Sequence, residues 1–142
     1  SSLQERLNLS LLLVTHNLGV VAQSCQRVAV MYAGKIMEMT DTETLFRAPR
    51  HPYTIGLMNC VPRFDESGTS RVLTPIPGQP PDLVQPPPGC RFHPRCPLAS
   101  EVCTSGDFPL LEVRPGHYSA CIKHELLEQT TLVWDTATPV AA

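Results

Sequence analysis

Four cysteines in the C-terminal half of the chain have the residue type and spacing best suited to chemistry. They are Cys90, Cys96, Cys103 and Cys121, in a C-x5-C-x6-C-x17-C spacing. The region around them is too rich in proline to fold by core burial alone. Four thiolates that close a loop-rich segment are typical of a structural metal centre. We therefore interpret these cysteines as a candidate metal-binding set.

The spacing alone leaves several interpretations of this set open. Disulfides are disfavoured in a reducing cytosol. Zinc usually takes C-x2-C pairs, and no gap here is that short. An iron–sulfur cluster accepts longer and uneven spacing, and Cys96-Pro97 resembles the Cys-Pro pair that ends many cluster-binding runs. Plain reduced thiols are the remaining alternative. His93 and His117 lie close to the set in sequence. They are possible ligands or hydrogen-bond donors to the ligands, but we interpret them as surface residues.

Of the other two cysteines, Cys25 lies on a predicted short helix and Cys60 at a predicted helix end, both among apolar neighbours. A free cysteine in that setting behaves as a small hydrophobic residue. We predict that both are buried packing residues.

His16 is the second candidate for chemistry. It follows the apolar run 10–15 (SLLLVT), which is typical of a strand covered on both faces in a parallel α/β sheet. In open α/β sheets, ligands bind at the carboxyl ends of the strands. A single histidine at a strand end is nevertheless more often a core or capping residue, so its position alone does not assign a role.

Short elements position these residues. The sequence predicts the end of a helix at residues 1–8, a helix capped by Asn17, a strand over 27–32, a turn at 33–34, a strand over 35–39, and helices from Thr42 and over 53–60. This order indicates an α/β fold. The apolar run requires neighbouring strands, so we expect this chain to be part of a larger domain.

Composition limits the classes of function. The chain has 142 residues, of which 42% are hydrophobic and 17% charged, and its net charge is −2. This balance gives no reason to expect a nucleic-acid partner. The longest apolar run, Leu11 to Val14, is far too short to span a bilayer, and no leader opens the chain. We therefore expect a soluble, intracellular segment.

Proline divides the chain near Pro62. Nine of the fifteen prolines fall within residues 75–97, which predicts an extended, polyproline-like connector there. Residues 65–70 are polar without apolar anchors, and the acidic stretch 125–142 matches no motif. Both are predicted to be disordered.

The segment 10–38, SLLLVTHNLGVVAQSCQRVAVMYAGKIME, resembles the end of the nucleotide-binding subunit of ABC transporters. The His-Pro-Tyr-Thr run at 51–54 narrows the resemblance to the oligopeptide/dipeptide importer branch. Three later runs fit the C-terminal extension of that branch: Pro75-Ile76-Pro77-Gly78, Gly89-Cys90-Arg91-Phe92 and Pro94-Arg95-Cys96-Pro97. The resemblance covers residues 3 to about 124.

The resemblance implies a fold and two sites. The fold is the C-terminal fragment of a P-loop ABC nucleotide-binding domain at 1–48, a proline-rich, loop-dominated extension with the four cysteines at 49–124, and a tail at 125–142. His16 would be the switch histidine, which hydrogen-bonds the γ-phosphate of ATP and helps to hold the attacking water. The four cysteines would bind a 4Fe-4S cluster, with Zn²⁺ as the alternative.

The sequence departs from the family pattern in several places. Asn17 stands where the family usually has Asp, and Met39-Thr40-Asp41 replaces a glycine-containing turn. The 142 residues contain no G-x-x-x-x-G-K-S/T phosphate loop, no Leu-Ser-Gly-Gly-Gln signature and no apolar strand ending in Asp-Glu. ATP with Mg²⁺ is therefore expected only in the context of a longer protein, and this chain alone is expected to be inactive as an ATPase.

The resemblance implies an ATP-binding subunit that couples ATP hydrolysis to uptake of di- or oligopeptides. It would lie peripherally on the cytoplasmic face of the bacterial inner membrane. Its partners would be a second ATP-binding subunit and two membrane permeases, with an extracytoplasmic binding protein that delivers peptide. The alternatives are a stand-alone iron–sulfur or zinc-binding module and a non-functional truncated remnant.

Overall fold

The computed structural model describes residues 6–60 and 74–128. These contain three short helices, α1 (Leu18–Ser24), α2 (Thr42–Arg47) and α3 (Pro52–Asn59). The strands are β1 (Arg27–Tyr32), β2 (Lys35–Asp41), β3 (Leu111–Arg114) and β4 (His117–Ser119). Short 3-10 helices lie at His93–Arg95, Glu101–Thr104 and His124–Glu128. The chain is thus a small mixed α/β structure.

The four strands form one antiparallel sheet in the order β1-β2-β4-β3. The hairpin of β1 and β2 turns at Ala33 and Gly34, whose φ angles of 47° and 79° are those of a tight hairpin turn. The second hairpin, β3 and β4, turns at Pro115-Gly116 and was not predicted. The parallel sheet expected around the apolar run at 10–15 does not form among the described residues, whereas the hairpin predicted over 27–39 is confirmed.

The apolar run at 10–15 does not form the predicted strand. Leu11, Leu12 and Val14 are 73%, 89% and 90% exposed, and none of the four strands pairs with this segment. The physical reason lies in the apolar composition of this run. A strand that is apolar on both faces is stable only between neighbouring strands, and the described residues offer it none.

The predicted helices form close to their expected positions because polar side chains cap them. The side chain of Asn17 accepts hydrogen bonds from the amides of Gly19 and Val20 at the start of α1. At the start of α2, Asp41 accepts from the amide of Thr44. These contacts satisfy amides that have no partner within the helix. Arg6 and Leu7 are also helical, which agrees with the predicted helical end before the apolar run.

A β-bulge in the first hairpin explains an unexpected burial pattern. The register shifts between Val30 and Met31, so that Met37 has no direct partner on β1. The consecutive residues Met37 and Glu38 are both buried, at 2% and 0% exposure. A bulge places two residues opposite one and redirects a side chain, so simple alternation fails here.

Phe92 anchors the proline-rich part of the chain to the sheet. Its fully buried ring packs edge-on against Tyr32, with ring centroids 5.2 Å apart, and also contacts Tyr53. Arg95 donates to the carbonyls of Ile76 and Pro77 and to the hydroxyl of Tyr32. Residues 74–92 form neither helix nor strand, as their proline content predicts. These contacts hold the segment against the first hairpin.

A buried carboxylate joins β2, β4 and the segment that enters α3. Oε1 of Glu38 accepts hydrogen bonds from the amide of Arg50 and, at 2.7 Å, from Nε2 of His117. The hydroxyl of Ser119 donates to the carbonyl of Arg50 at 2.8 Å. His117 is therefore buried, and its interpretation as a surface residue is wrong.

At the C-terminal end, residues 124–128 form a 3-10 helix with Leu127 buried. The carboxylate of Glu128 pairs with Arg50 and Arg114. The predicted disorder therefore does not apply to residues 125–128, whereas residues 129–142 and the predicted disordered run 65–70 lie outside the described residues. The division at 1–48, 49–124 and 125–142 stays a prediction. No helix in the described ranges is long and apolar enough to cross a bilayer.

Replacing Glu38 with alanine should lower the free energy of unfolding by about 3 kcal/mol or more, because two buried donors lose their acceptor. Urea denaturation followed by circular dichroism measures the effect. Glu43→Ala is the matched control, since Glu43 pairs with Arg47 on an exposed helix face and should contribute little. Equal stability of the two variants would contradict the role given to Glu38.

Candidate functional site

The four cysteines selected from the sequence line one cavity. Cys90, Cys96, Cys103 and Cys121 surround a space of about 20 Å³, together with His51, His93 and several apolar side chains. A space of this size holds about one water molecule. All four are free thiols. Residues that lie up to 31 positions apart in the sequence (90 to 121) are thus brought together, as a common site requires.

A glycine allows the first and third cysteines to approach each other. Gly89 has a φ of 69°, and a Cβ there would lie 2.4 Å from the carbonyl oxygen of Cys103 and 2.8 Å from the amide nitrogen of Ser105. The amide of Cys90 donates to that same carbonyl at 3.0 Å. Only a residue without a side chain permits this contact between the two backbones.

The second and fourth cysteines are held by short turns. Cys96 ends the 3-10 helix at His93–Arg95, with its amide donating to the carbonyl of His93. Cys121 follows β4, and its amide donates to the hydroxyl of Ser119. The neighbouring Lys123 donates to the carbonyl of Leu98 at 2.6 Å, which ties these two turns together.

Burial makes the thiols poor acids. It raises the pKa of Cys96 to about 12 and that of Cys121 to about 11, with nearby cysteines acting in the same direction. Burial also raises the pKa of Cys90, and the neighbouring Cys103 adds to this effect. Without bound metal these three thiols are protonated at neutral pH. Metal binding at this site would therefore have to release protons.

The cavity does not have the geometry of a site for a single ion. Across residues 6–60 and 74–128, no group of three or more histidine, cysteine, aspartate or glutamate side chains could hold one metal ion. The metal centre expected from the sequence therefore stays a prediction, and what the structure shows is four cysteines around one cavity.

His51 is a residue of this cavity that the sequence analysis did not select. It is 1% exposed, and its Nδ1 accepts a hydrogen bond from the amide of Tyr53 at 3.1 Å, which caps α3. Burial lowers the pKa of His51 to about 3, so the imidazole is neutral. Nothing in the spacing from His51 to Cys90 signals that they line the same cavity, because their proximity depends on the tertiary fold.

The remaining candidates lie elsewhere or have other roles. His16 is exposed on a bend directly before the cap of α1 and is not a residue of the cavity. His93 lines the cavity, and its Nδ1 lies 2.9 Å from the carbonyl oxygen of Cys90. Cys25 is half-buried, whereas Cys60 is exposed, so the prediction of a buried Cys60 is wrong. The structure therefore keeps His16 and the cysteine site apart.

Comparison with known proteins identifies the region that contains most of this site. Residues 37–103 match the family model described as the C-terminal region of oligopeptide/dipeptide transporters. Residues 37–103 thus belong to this family of transporter C-terminal regions. The match includes His51, Cys90, Cys96 and Cys103 and ends before Cys121.

Curated relatives extend the likeness over most of the chain. The oligopeptide transport ATP-binding protein OppD of Escherichia coli (strain K12) is 48% identical over 123 residues, which are 87% of this chain and 36% of that protein. OppD of Mycobacterium tuberculosis (strain ATCC 25618 / H37Rv) is 47% identical over 82% of this chain and 19% of its own length. The dipeptide transport ATP-binding protein DppD of Bacillus subtilis (strain 168) is 54% identical over 71% and 30%. The chain thus spans about a fifth to a third of these relatives.

The buried thiols should react slowly with iodoacetamide when no metal is bound. At pH 8 a thiol with a pKa of about 12 is a thiolate in about one molecule in ten thousand, and only the thiolate reacts. We expect exposed Cys60 to be modified first, and modification of Cys96 and Cys121 to speed up about tenfold per pH unit between about pH 7 and 9. Peptide mass spectrometry measures this.

The control for that experiment is the same chain in concentrated urea, where all six cysteines should react at similar rates. Rapid modification of Cys96 in the folded chain at pH 7 would contradict the burial described above.

Proposed function

We propose that this chain is the C-terminal part of the ATP-binding subunit of an ABC importer for di- or oligopeptides. The observation that carries the proposal is the 48% identity to an oligopeptide transport ATP-binding protein over 87% of the chain. The matched transporter C-terminal region at 37–103 supports it independently of any single relative. In this proposal the protein lies at the cytoplasmic face of the inner membrane, with a second ATP-binding subunit, two permeases and a peptide-delivering binding protein as partners.

The exposed apolar run before His16 also supports this assignment. Leu11, Leu12 and Val14 present a surface that is costly to leave in water. Strands of a P-loop nucleotide-binding domain on either side would cover both faces of this segment. His16 would then stand at the carboxyl edge of a parallel sheet, where ligands of α/β proteins bind.

The role proposed for His16 follows from its chemistry. An imidazole N–H can donate a hydrogen bond to a phosphoryl oxygen whose negative charge grows in the transition state. The same group can orient the attacking water. The phosphate loop and the ligands of Mg²⁺ would come from residues outside these 142, because the sequence contains neither motif. His16 thus acts on nucleotide that other residues bind.

A chimera tests this proposal directly. The 123 aligned residues of E. coli OppD are replaced by those of this chain, and the chimera is expressed in E. coli that lacks OppD. We expect it to restore oligopeptide uptake. His16→Ala in the chimera should leave ATP binding in place and lower ATP hydrolysis by about 100-fold or more, since one transition-state donor is lost.

His124→Ala in the same chimera is the control, because His124 stands outside both candidate sites and should leave uptake unchanged. A chimera that binds ATP and hydrolyses it equally well with and without His16 would exclude the role proposed for His16. A folded chimera that fails to support uptake would contradict the assignment to a peptide importer.

We further propose that the four cysteines hold a 4Fe-4S cluster. All four line one cavity, and no three of them are arranged to hold a single ion within the described ranges. A zinc ion needs four sulfurs at about 2.3 Å from one centre. A four-iron cluster instead takes one cysteine at each iron, so that its sulfurs surround a larger volume. Four cysteines around one cavity match the number of protein ligands that a 4Fe-4S cluster takes.

The bound cluster would act as a structural crosslink. The four cysteines come from three different loops: Cys90 and Cys96 flank one turn, Cys103 lies in the 3-10 helix at Glu101–Thr104, and Cys121 follows β4. Loops that share few apolar contacts gain stability when a metal centre joins them. In this part of the chain the metal-bound thiols would stabilise the fold, as a larger hydrophobic core does in other proteins.

Anaerobic reconstitution with ferrous iron and sulfide tests the cluster. We expect about four iron and four sulfide per chain, with broad visible absorption. Replacing Cys90, Cys96, Cys103 or Cys121 individually with serine should remove most of the iron. Cys25→Ser and Cys60→Ser are matched controls outside the cavity and should retain it. A chain that takes up one zinc, or no metal at all, would overturn this proposal.

A further inference from the structure

The imidazole of His51 leaves a buried polar atom beside the cysteines. The ring lines the cavity that the four cysteines share. Its Nε2 is buried and has no hydrogen-bond partner among the residues that the structure describes. Buried polar atoms almost always have partners, and one without a partner calls for an explanation. A group bound in the cavity would supply one.

The hydrogen bond at the other ring nitrogen determines what Nε2 can do. The amide of Tyr53 donates to Nδ1 at 3.1 Å, so Nδ1 presents a lone pair. In a neutral imidazole the proton is then on Nε2. Nε2–H is therefore a donor that requires an acceptor. The cysteine sulfurs, and the sulfides of a cluster, are acceptors of the kind that this cavity would contain.

The surrounding contacts fix the position of the ring. Nδ1 is held by the start of α3, and the ring lies against Phe92 with centroids 6.0 Å apart. The preceding residue, Arg50, is bound at its amide by Glu38 and at its carbonyl by Ser119. The contacts of the ring restrict its rotation, and those of Arg50 fix the backbone directly before it. A donor held in this way costs little further entropy when its acceptor arrives.

We propose that His51 is a positioning residue for the cluster: its Nε2–H donates a hydrogen bond to a sulfur of the iron–sulfur cluster that the four cysteines bind. This inference rests on the cluster proposed above. Hydrogen bonds to cluster sulfurs stabilise the more negative, reduced state and so raise the reduction potential. His51 would thereby tune both the retention of the cluster and its redox equilibrium.

Two conservative variants separate this role from helix capping. In His51→Asn the side-chain oxygen lies near the position of Nδ1, so the variant keeps the cap of α3 but has no donor at the Nε2 position. In His51→Gln the terminal amide reaches the Nε2 position, so the variant keeps a donor there and loses the capping acceptor. Each variant therefore removes either the donor or the capping acceptor and keeps the other.

The experiment compares the reconstituted full chain with both variants by spectroelectrochemical titration. We expect His51→Asn to bind iron through the same cysteines but to be harder to reduce. At a fixed applied potential its ratio of reduced to oxidised cluster should fall about tenfold, which corresponds to about 59 mV for one electron. Its cluster should also be lost to a chelator about 10- to 100-fold more readily. His51→Gln should stay close to the wild-type potential, although urea should unfold it more easily.

A spectroscopic measurement that does not depend on the reduction potential gives an independent test. With ¹⁵N-labelled histidine, pulsed electron paramagnetic resonance of the reduced cluster should detect a nitrogen coupling that disappears in His51→Asn and persists in His124→Asn.

The outcomes distinguish the hydrogen bond of His51 from the iron–sulfur cluster on which this inference rests. A wild-type chain that binds four iron, with His51→Asn at the wild-type potential and chelator resistance, would reject the hydrogen bond and leave the cluster in place. A potential that falls in His51→Gln but not in His51→Asn would assign the effect to the cap and also reject it. A wild-type chain that takes up no iron would overturn both.

Discussion

The buried carboxylate of Glu38 is the interaction on which the rest of this structure depends. One oxygen receives the Arg50 amide and the His117 ring, so a single side chain on β2 binds both the entry to α3 and the second hairpin. Without this carboxylate, two buried hydrogen-bond donors would have no acceptor. The bulge beside Met37 turns Glu38 inward, so a local irregularity of the backbone creates the connection.

The cysteine cavity follows from that connection. Glu38 and Ser119 fix the backbone of Arg50, which places the next residue, His51, at the cavity. The amide of Ala120 donates to the carbonyl of Met37 at 2.9 Å, which places Cys121 beside the first hairpin. Phe92 brings the segment between Cys90 and Cys96 against the same core. The site is thus built on the sheet, although its ligands lie on loops.

The sequence predicted the local features well and the tertiary ones poorly. The first hairpin, the cap at Asn17 and the helix that begins at Thr42 depend on short-range patterns, and the structure agrees with them. The four cysteines chosen by their spacing line one cavity, and their role as metal ligands stays a prediction. The second hairpin carries a signal that could have been used, since alternating residues flank Pro115-Gly116. The burial of His117 depends on its contact with Glu38, 79 positions away, and the place of His51 on its contact with Phe92, 41 positions away. No pattern in the sequence encodes these contacts.

Two regions of the chain differ in how far their apolar side chains are buried by the described residues. The sheet, its aromatic cluster and the cysteine loops pack against one another, with Tyr32, Met37 and Phe92 buried at their centre. Residues 9–16 have no such core, and their apolar side chains stay in water. A strand with this composition is stable only when other strands flank it. The chemistry proposed for His16 therefore depends on covering these residues, whereas the cysteine site already has its supporting structure within the chain. For this reason the two sites can be tested separately.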